Sequence, residues 1–185
     1  MLNAVCAAAM RQTGSDGISR LNFMINRMTP HNLSVDLEQG ETRAAAAQPP
    51  VATLSFEAND QSWHGTLAEE SGEPVCRYPY DEESIIALCR IDQSGRSISL
   101  EGETDFTPIE VVVAMTKALH QALYPDAPGK WVFCRWESEH WPITIPASGL
   151  SVMLSKTLGS RLTKSAVAVG GERIGWVYFS ARVEP

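Results

Sequence analysis

The stretch Thr104 to Gly129, TDFTPIEVVVAMTKALHQALYPDAPG, constrains the fold more than any other, because its local signals all agree. Thr107 suits an N-cap, Pro108 falls at the first helical position where a missing N–H costs nothing, and Glu110 is spaced to close a capping box. Phe106, just before the cap, is placed to staple onto Val111. Pro125 forbids continuation, and Pro128-Gly129 makes a turn. These signals predict a helix from about Thr107 to Tyr124. On it Ile109, Val112, Val113, Thr116, Leu119 and Leu123 form one stripe, with Val111, Met115, Ala118 and Ala122 beside it. Only Glu110, Lys117 and Gln121 make a polar strip. So apolar a helix must be covered, most simply by a sheet, which makes it the expected central helix.

The other segments are read around it. Leu2–Arg11 is an Ala-rich short helix closed by Thr13-Gly14-Ser15-Asp16-Gly17, and the apolar spacing 18, 21, 25, 28 predicts a second helix up to Pro30. Residues 1–30 are therefore expected to be a helical arm or hairpin, and residues 31–185 a single α+β domain. Strands are expected at 32–38, 51–57, 62–68, 84–92, 96–101 and 130–137, with turns at Ala58–Gln61 and Gln93-Ser94-Gly95. Apolar residues at 150, 153, 154, 158 and 162 predict a weaker second helix over about 150–162. Two β-rich runs around Gly170-Gly171 predict a C-terminal hairpin. Strands grouped before and after a helix give an α+β fold with a mostly antiparallel sheet. Segments 40–50 and 69–80 read as loops.

Composition narrows the class. At 185 residues with 44% hydrophobic and 20% charged side chains, the chain is long enough to bury one core. No apolar run approaches the roughly 20 residues of a spanning helix, and the first residues lack a basic export signal, so a cytoplasmic protein without membrane contact is expected. Cys6, Cys76, Cys89 and Cys134 show neither C-x-x-C spacing nor a nearby His, which points to reduced thiols without a metal. No glycine-rich phosphate loop is present, and no cofactor is implied. Residues 1–125 hold eight basic and seventeen acidic side chains, residues 126–185 seven and five. An acidic body of this kind argues against nucleic acid as a partner.

The most reactive short stretch is Cys134 to His140, CRWESEH, beside Trp131, Trp136 and Trp141. A thiol, two carboxylates and an imidazole within seven residues permit Cys–His nucleophilic or Glu–His acid–base chemistry, making Cys134, Glu137, Glu139 and His140 candidate catalytic groups. His120, on the edge of the central helix's apolar stripe, is a fifth. The plainer reading makes the Cys and Trp side chains core and rim packing. Trp131, Trp136, Trp141 and Arg135 are the candidate binding residues, since Trp and Arg are enriched at interface hot spots. His31 and His64 would need a neighbouring His or carboxylate to act as ligands.

These readings favour a cytoplasmic protein-interaction module of adaptor, chaperone, immunity or inhibitor type, holding a protein partner or a second copy of itself as a homodimer. The alternative is a small-molecule-binding protein or enzyme with a cleft between the central helix and the sheet. Whether the chain is an enzyme stays open at the level of sequence.

Overall fold

The computed structural model describes residues 1–40, 49–72, 80–127, 129–141, 149–159 and 161–182. In chain order the elements are α1 (Leu2–Thr13), β1 (Ile18–Ile25), β2 (Leu33–Gln39), β3 (Ala52–Ala58), β4 (Gln61–Glu69), α2 (Glu82–Ile86), β5 (Cys89–Asp92), β6 (Ser97–Leu100), α3 (Pro108–Leu123), β7 (Lys130–Trp141), β8 (Leu150–Leu158), β9 (Leu162–Val169) and β10 (Glu172–Arg182). The class is α+β with extensive antiparallel sheet. The chain divides into two compact units, Met1–Tyr78 with Arg135–Pro142, and Pro79–Cys134 with Ile143–Pro185.

In the first unit the strand order is β2-β4-β3-β1-β7. The pairs β2–β4, β4–β3, β3–β1 and β1–β7 are all antiparallel. Leu21, Phe23, Leu54, Phe56, Leu67 and Trp136 fill its core, and α1 buries Leu2, Val5, Cys6 and Ala9. Gly14, left-handed at φ 65, ends α1 by returning its N–H to the Met10 carbonyl.

Residues 18–25 form a strand where a helix was expected, and the cause is local. Arg20 adopts φ 49 and the pairing with β3 shifts register between Ser19 and Asn22. Leu21, Phe23 and Ile25 alternate inward as a strand requires, but the bulge leaves a three-residue gap back to Ile18 that imitates helical spacing. Strand β1 and the described residues of 31–72 fall in the same compact unit.

In the second unit the order is β7-β10-β9-β8-β6-β5. Helix α3 lies within the expected bounds, and the Thr107 N–H donates to the Glu110 carboxylate at 2.9 Å as the capping box requires. Its residues Val111, Val112, Met115 and Leu119 are fully or almost fully buried. The Gly170-Gly171 hairpin forms as expected, both glycines at positive φ. The expected helix at 150–162 is instead strand β8 and the start of β9. Leu150, Val152 and Leu154 point inward on alternate residues, while Met153 and Leu158 stand on the other face; apolar side chains on both faces of one strand mimic a helical period. Within the expected strand 84–92, the Asp81 side chain accepts from the Ser84 N–H at 3.1 Å, starting the short helix α2 before β5 begins. Most of the segments 40–50 and 69–80 lies outside the described residues.

Candidate functional site

The first unit contains a cleft of about 580 Å³ beside α1. Its apolar walls include Val5 of α1, Leu33 and Val35 of β2, Val51, and Leu67 of β4. Its polar side chains, Arg27, Thr29, His31 and Asn32, all come from the connection between β1 and β2. That connection is held by main-chain bonds. The N–H groups of Asn26 and Arg27 both donate to the Val51 carbonyl, at 2.8 and 3.2 Å, and the Glu70 N–H donates to the Asn32 carbonyl at 2.9 Å.

Side chains hold it further. The Arg27 guanidinium lies 2.6 Å from the Glu69 carboxylate. Hydrogen bonds from Arg27 first and Thr29 second hold Glu69 down at about 2. The Thr29 hydroxyl accepts from the His31 N–H at 3.1 Å. His31 Nδ1 lies 3.1 Å from the Gly72 carbonyl. A carbonyl only accepts, so Nδ1 carries the proton in this contact and Nε2 is the acceptor nitrogen of the neutral ring. Among the ionisable side chains that line the cleft, Arg27 keeps its proton, held further by Glu69.

The CRWESEH stretch does not converge. It lies along β7, where neighbouring side chains point to opposite faces. Trp136 and Ser138 are buried, and the indole N–H of Trp136 donates to the Ser138 hydroxyl at 3.0 Å. Arg135 donates to the Asn22 side-chain carbonyl at 3.0 Å and pairs with Glu137 at 2.6 Å. Glu139 is exposed, and His140 lines a second hollow, of about 430 Å³, with Ser19, Glu57 and Asp60. Cys134 belongs to the other unit, half-buried, its thiol donating to the Tyr178 carbonyl at 3.4 Å. Cys6 and Cys89 are also free thiols, pushed up by burial to about 12 and about 11. Cys76 lies outside the described residues. Among the described residues no group of three or more His, Cys, Asp or Glu side chains is arranged to hold a metal ion.

His120 is completely buried in the second unit. Its ring stacks on Trp131, which is half-buried, and lies near Phe179. Neither ring nitrogen makes a well-formed hydrogen bond among the described residues, and a weaker contact with the Thr116 main chain only partly offsets the effect of burial. Burial pushes its pKa down to about 4.

Sequence reasoning named His31 but missed Arg27, Thr29 and the cleft. Reading 18–28 as a helix made RMTPHN a helix end, where it is a polar loop leaving a buried strand.

No family model and no curated protein matches the chain. Among solved structures it is similar to a protein described as a thioesterase from Novosphingobium aromaticivorans, at 8% identity over 97% of this chain and 84% of that one, with a TM-score of 0.46. It is similar to the TesB protein of Mycobacterium avium subspecies paratuberculosis at 10% identity over 100% and 86%, TM-score 0.44. It is also similar to a pyran synthase domain from module nine of the sorangicin pathway, at 11% identity over 97% and 83%, TM-score 0.42. No substrate and no site residue is carried over at this distance.

The expected protein-interaction module is corrected. The aromatic segment expected to dock a partner is largely interior, with Trp136 at 0% and Trp141 at 6% exposure. Among the described residues no helix is long and apolar enough to cross a membrane.

Proposed function

We propose that the chain is a small-molecule-binding protein whose ligand occupies the cleft beside α1, the ligand's apolar part lying against the half-buried Leu33 and Val35, with Val5, Val51 and Leu67 packed behind them, and its polar end meeting Arg27, His31 and Asn32. One observation carries this reading: a cleft of about 580 Å³ with apolar walls and all its polar side chains on a single pinned segment. That volume falls within the roughly 300–1,000 Å³ of ligand sites, and the mixture of apolar wall with a few convergent polar groups is what such sites have in common. The cleft lies against α1, whereas the sequence placed it against the 107–124 helix. His31, its Nδ1 proton committed to a main-chain carbonyl, supports an extension of the same reading to an enzyme that moves a proton through Nε2.

The test is a thermal-shift titration with medium-chain carboxylic acids and their neutral amides, repeated on Val35→Phe, which fills the cleft from a half-buried position. The melting temperature should rise with ligand concentration, because binding to the folded state alone stabilises it, and Val35→Phe should abolish the rise while melting close to the parent. An equal rise in Val35→Phe would place the ligand elsewhere and defeat the reading.

A further inference from the structure

A second surface, in the other unit, has a chemistry that the cleft does not explain. Residues 149–182 hold five basic side chains, Lys156, Arg161, Lys164, Arg173 and Arg182, against one acidic, Glu172, in a chain of net charge −7. The register of β8–β10 puts much of this charge on one sheet face. Lys156 pairs directly with Lys164, and Lys164 with Tyr178. In the next row Met153 pairs with Ala166, and Ala166 with Trp176. Leu158 pairs with Leu162 beyond them. Met153 and Leu158 are 50% and 46% exposed, although each is a large apolar side chain.

The cations are positioned by the aromatics. Lys164 Nζ lies 4.1 Å from the Trp176 ring centroid and 5.1 Å from that of Tyr178, and the Arg173 guanidinium carbon lies 4.8 Å from Trp176. Such contacts are favourable by about 0.5–1 kcal/mol at exposed sites and hold flexible side chains over the sheet.

We propose that this face of β8–β10 docks on an anionic phospholipid surface, the cations meeting headgroup phosphates while Met153 and Leu158 enter the interface. Three observations select this occupant. The surface is a sheet face with exposed apolar side chains among its cations, the mixture that interfacial binding uses, whereas small-ligand sites are concave. The Trp176 ring is already occupied by Lys164 and Arg173, which disfavours the base stacking that single-stranded nucleic acid needs. A second copy related by two-fold symmetry would bring Lys156 and Lys164 against their own counterparts. Surface docking needs no spanning segment, so it is independent of the absence of a spanning helix among the described residues.

The experiment is co-sedimentation of the full chain with vesicles of phosphatidylcholine alone and with about 30% phosphatidylglycerol, at low and at high salt. At low salt the protein should partition to the anionic vesicles at least about tenfold more than to the neutral ones, and high salt should release it. Each cation near a charged bilayer contributes roughly fivefold, so the triple variant Lys156→Gln, Lys164→Gln, Arg173→Gln should lose roughly a hundredfold in partition. Met153→Ser with Leu158→Ser should weaken binding while leaving the melting temperature unchanged, both side chains being exposed. No preference for anionic vesicles would overturn the proposal. So would undiminished binding by the triple variant, or binding of a single-stranded oligonucleotide by a protein that ignores the vesicles. The salt series on the unsubstituted chain decides the matter even if a variant fails to fold.

Discussion

The imidazole of His120 lies 4.4 Å from the indole of Trp131, centroid to centroid, with the two planes 19° from parallel. The ring is wholly buried and neither nitrogen makes a well-formed hydrogen bond within the described residues. An aromatic stack recovers dispersion and area, but it does not replace the hydration that two ring nitrogens give up.

That arrangement makes stability depend on acidity. Burial lowers the folded pKa of His120 from 6.5 to about 4. Between those values the unfolded chain binds more protons, so stability is full above about pH 6.5 and falls as pH drops toward 4, by up to about 3 kcal/mol. Urea denaturation from pH 7 to pH 4 should show this loss, and His120→Leu should remove the part of the slope that lies in this window. At pH 7 the variant should be as stable as the parent or more so by about 1 kcal/mol, because it removes buried polar atoms that make no well-formed hydrogen bond.

Trp136 provides the opposite case, a buried ring with its polar atom satisfied. Its N–H donates to the buried Ser138 hydroxyl at 3.0 Å. Trp136→Ala should cost about 3–5 kcal/mol by opening a cavity in the first unit, and Ser138→Ala about 1–3 kcal/mol by leaving the indole N–H unpaired. Thermal denaturation checks both. A Trp136→Ala protein with an unchanged melting temperature would restore an exposed, partner-binding role for this side chain.

How far the sequence was legible follows from whether the decisive signal was local. The α3 boundaries were, because Thr107, Pro108, Glu110 and Pro125 act within one turn of each helix end. The turn at Gly170-Gly171 was too, its geometry needing positive φ. The two helices wrongly expected, at 18–28 and 150–162, fail for a shared reason. A bulge at Arg20 and apolar residues on both faces of β8 each break the two-residue alternation, and neither a bulge nor a two-sided strand announces itself in a window of residues. The cleft was hidden for a different reason: Val5, Val35, Val51 and Leu67 come from four separate segments, and only the fold brings them to one wall.

The ion pair at the cleft sets a second acid limit. Glu69 is depressed from 4.5 to about 2, by hydrogen bonds from Arg27 and then Thr29. A carboxylate depressed on folding contributes stability above its unfolded pKa and loses it as pH falls toward the folded value. The pair should therefore persist at pH 4 and be lost by about pH 2. Carbon-detected NMR titration of the glutamate carboxyls should show one group titrating near 2, and Arg27→Gln should return it toward 4.5.

Gly65 is where the first unit's sheet tolerates no side chain. It stands between Leu37 on β2 and Leu54 on β3, paired in register with both. A Cβ built there would lie 2.6 Å from Leu37 Cδ2, 3.0 Å from Leu54 Cγ and closer still to Leu54 Cδ2. The two leucines are 7% and 2% exposed, so turning one away from the new methyl pushes it into filled core. Gly65→Ala should thus destabilise the first unit by about 1–3 kcal/mol through overpacking, against the gain in unfolded-state entropy that the same exchange gives at an unstrained site. The double variant Gly65→Ala with Leu54→Val should recover part of the loss, since shortening Leu54 removes its Cδ atoms from the clash. A single variant as stable as the parent, measured by thermal denaturation, would mean that the leucines repack freely and that β2, β3 and β4 are held less tightly than their register implies.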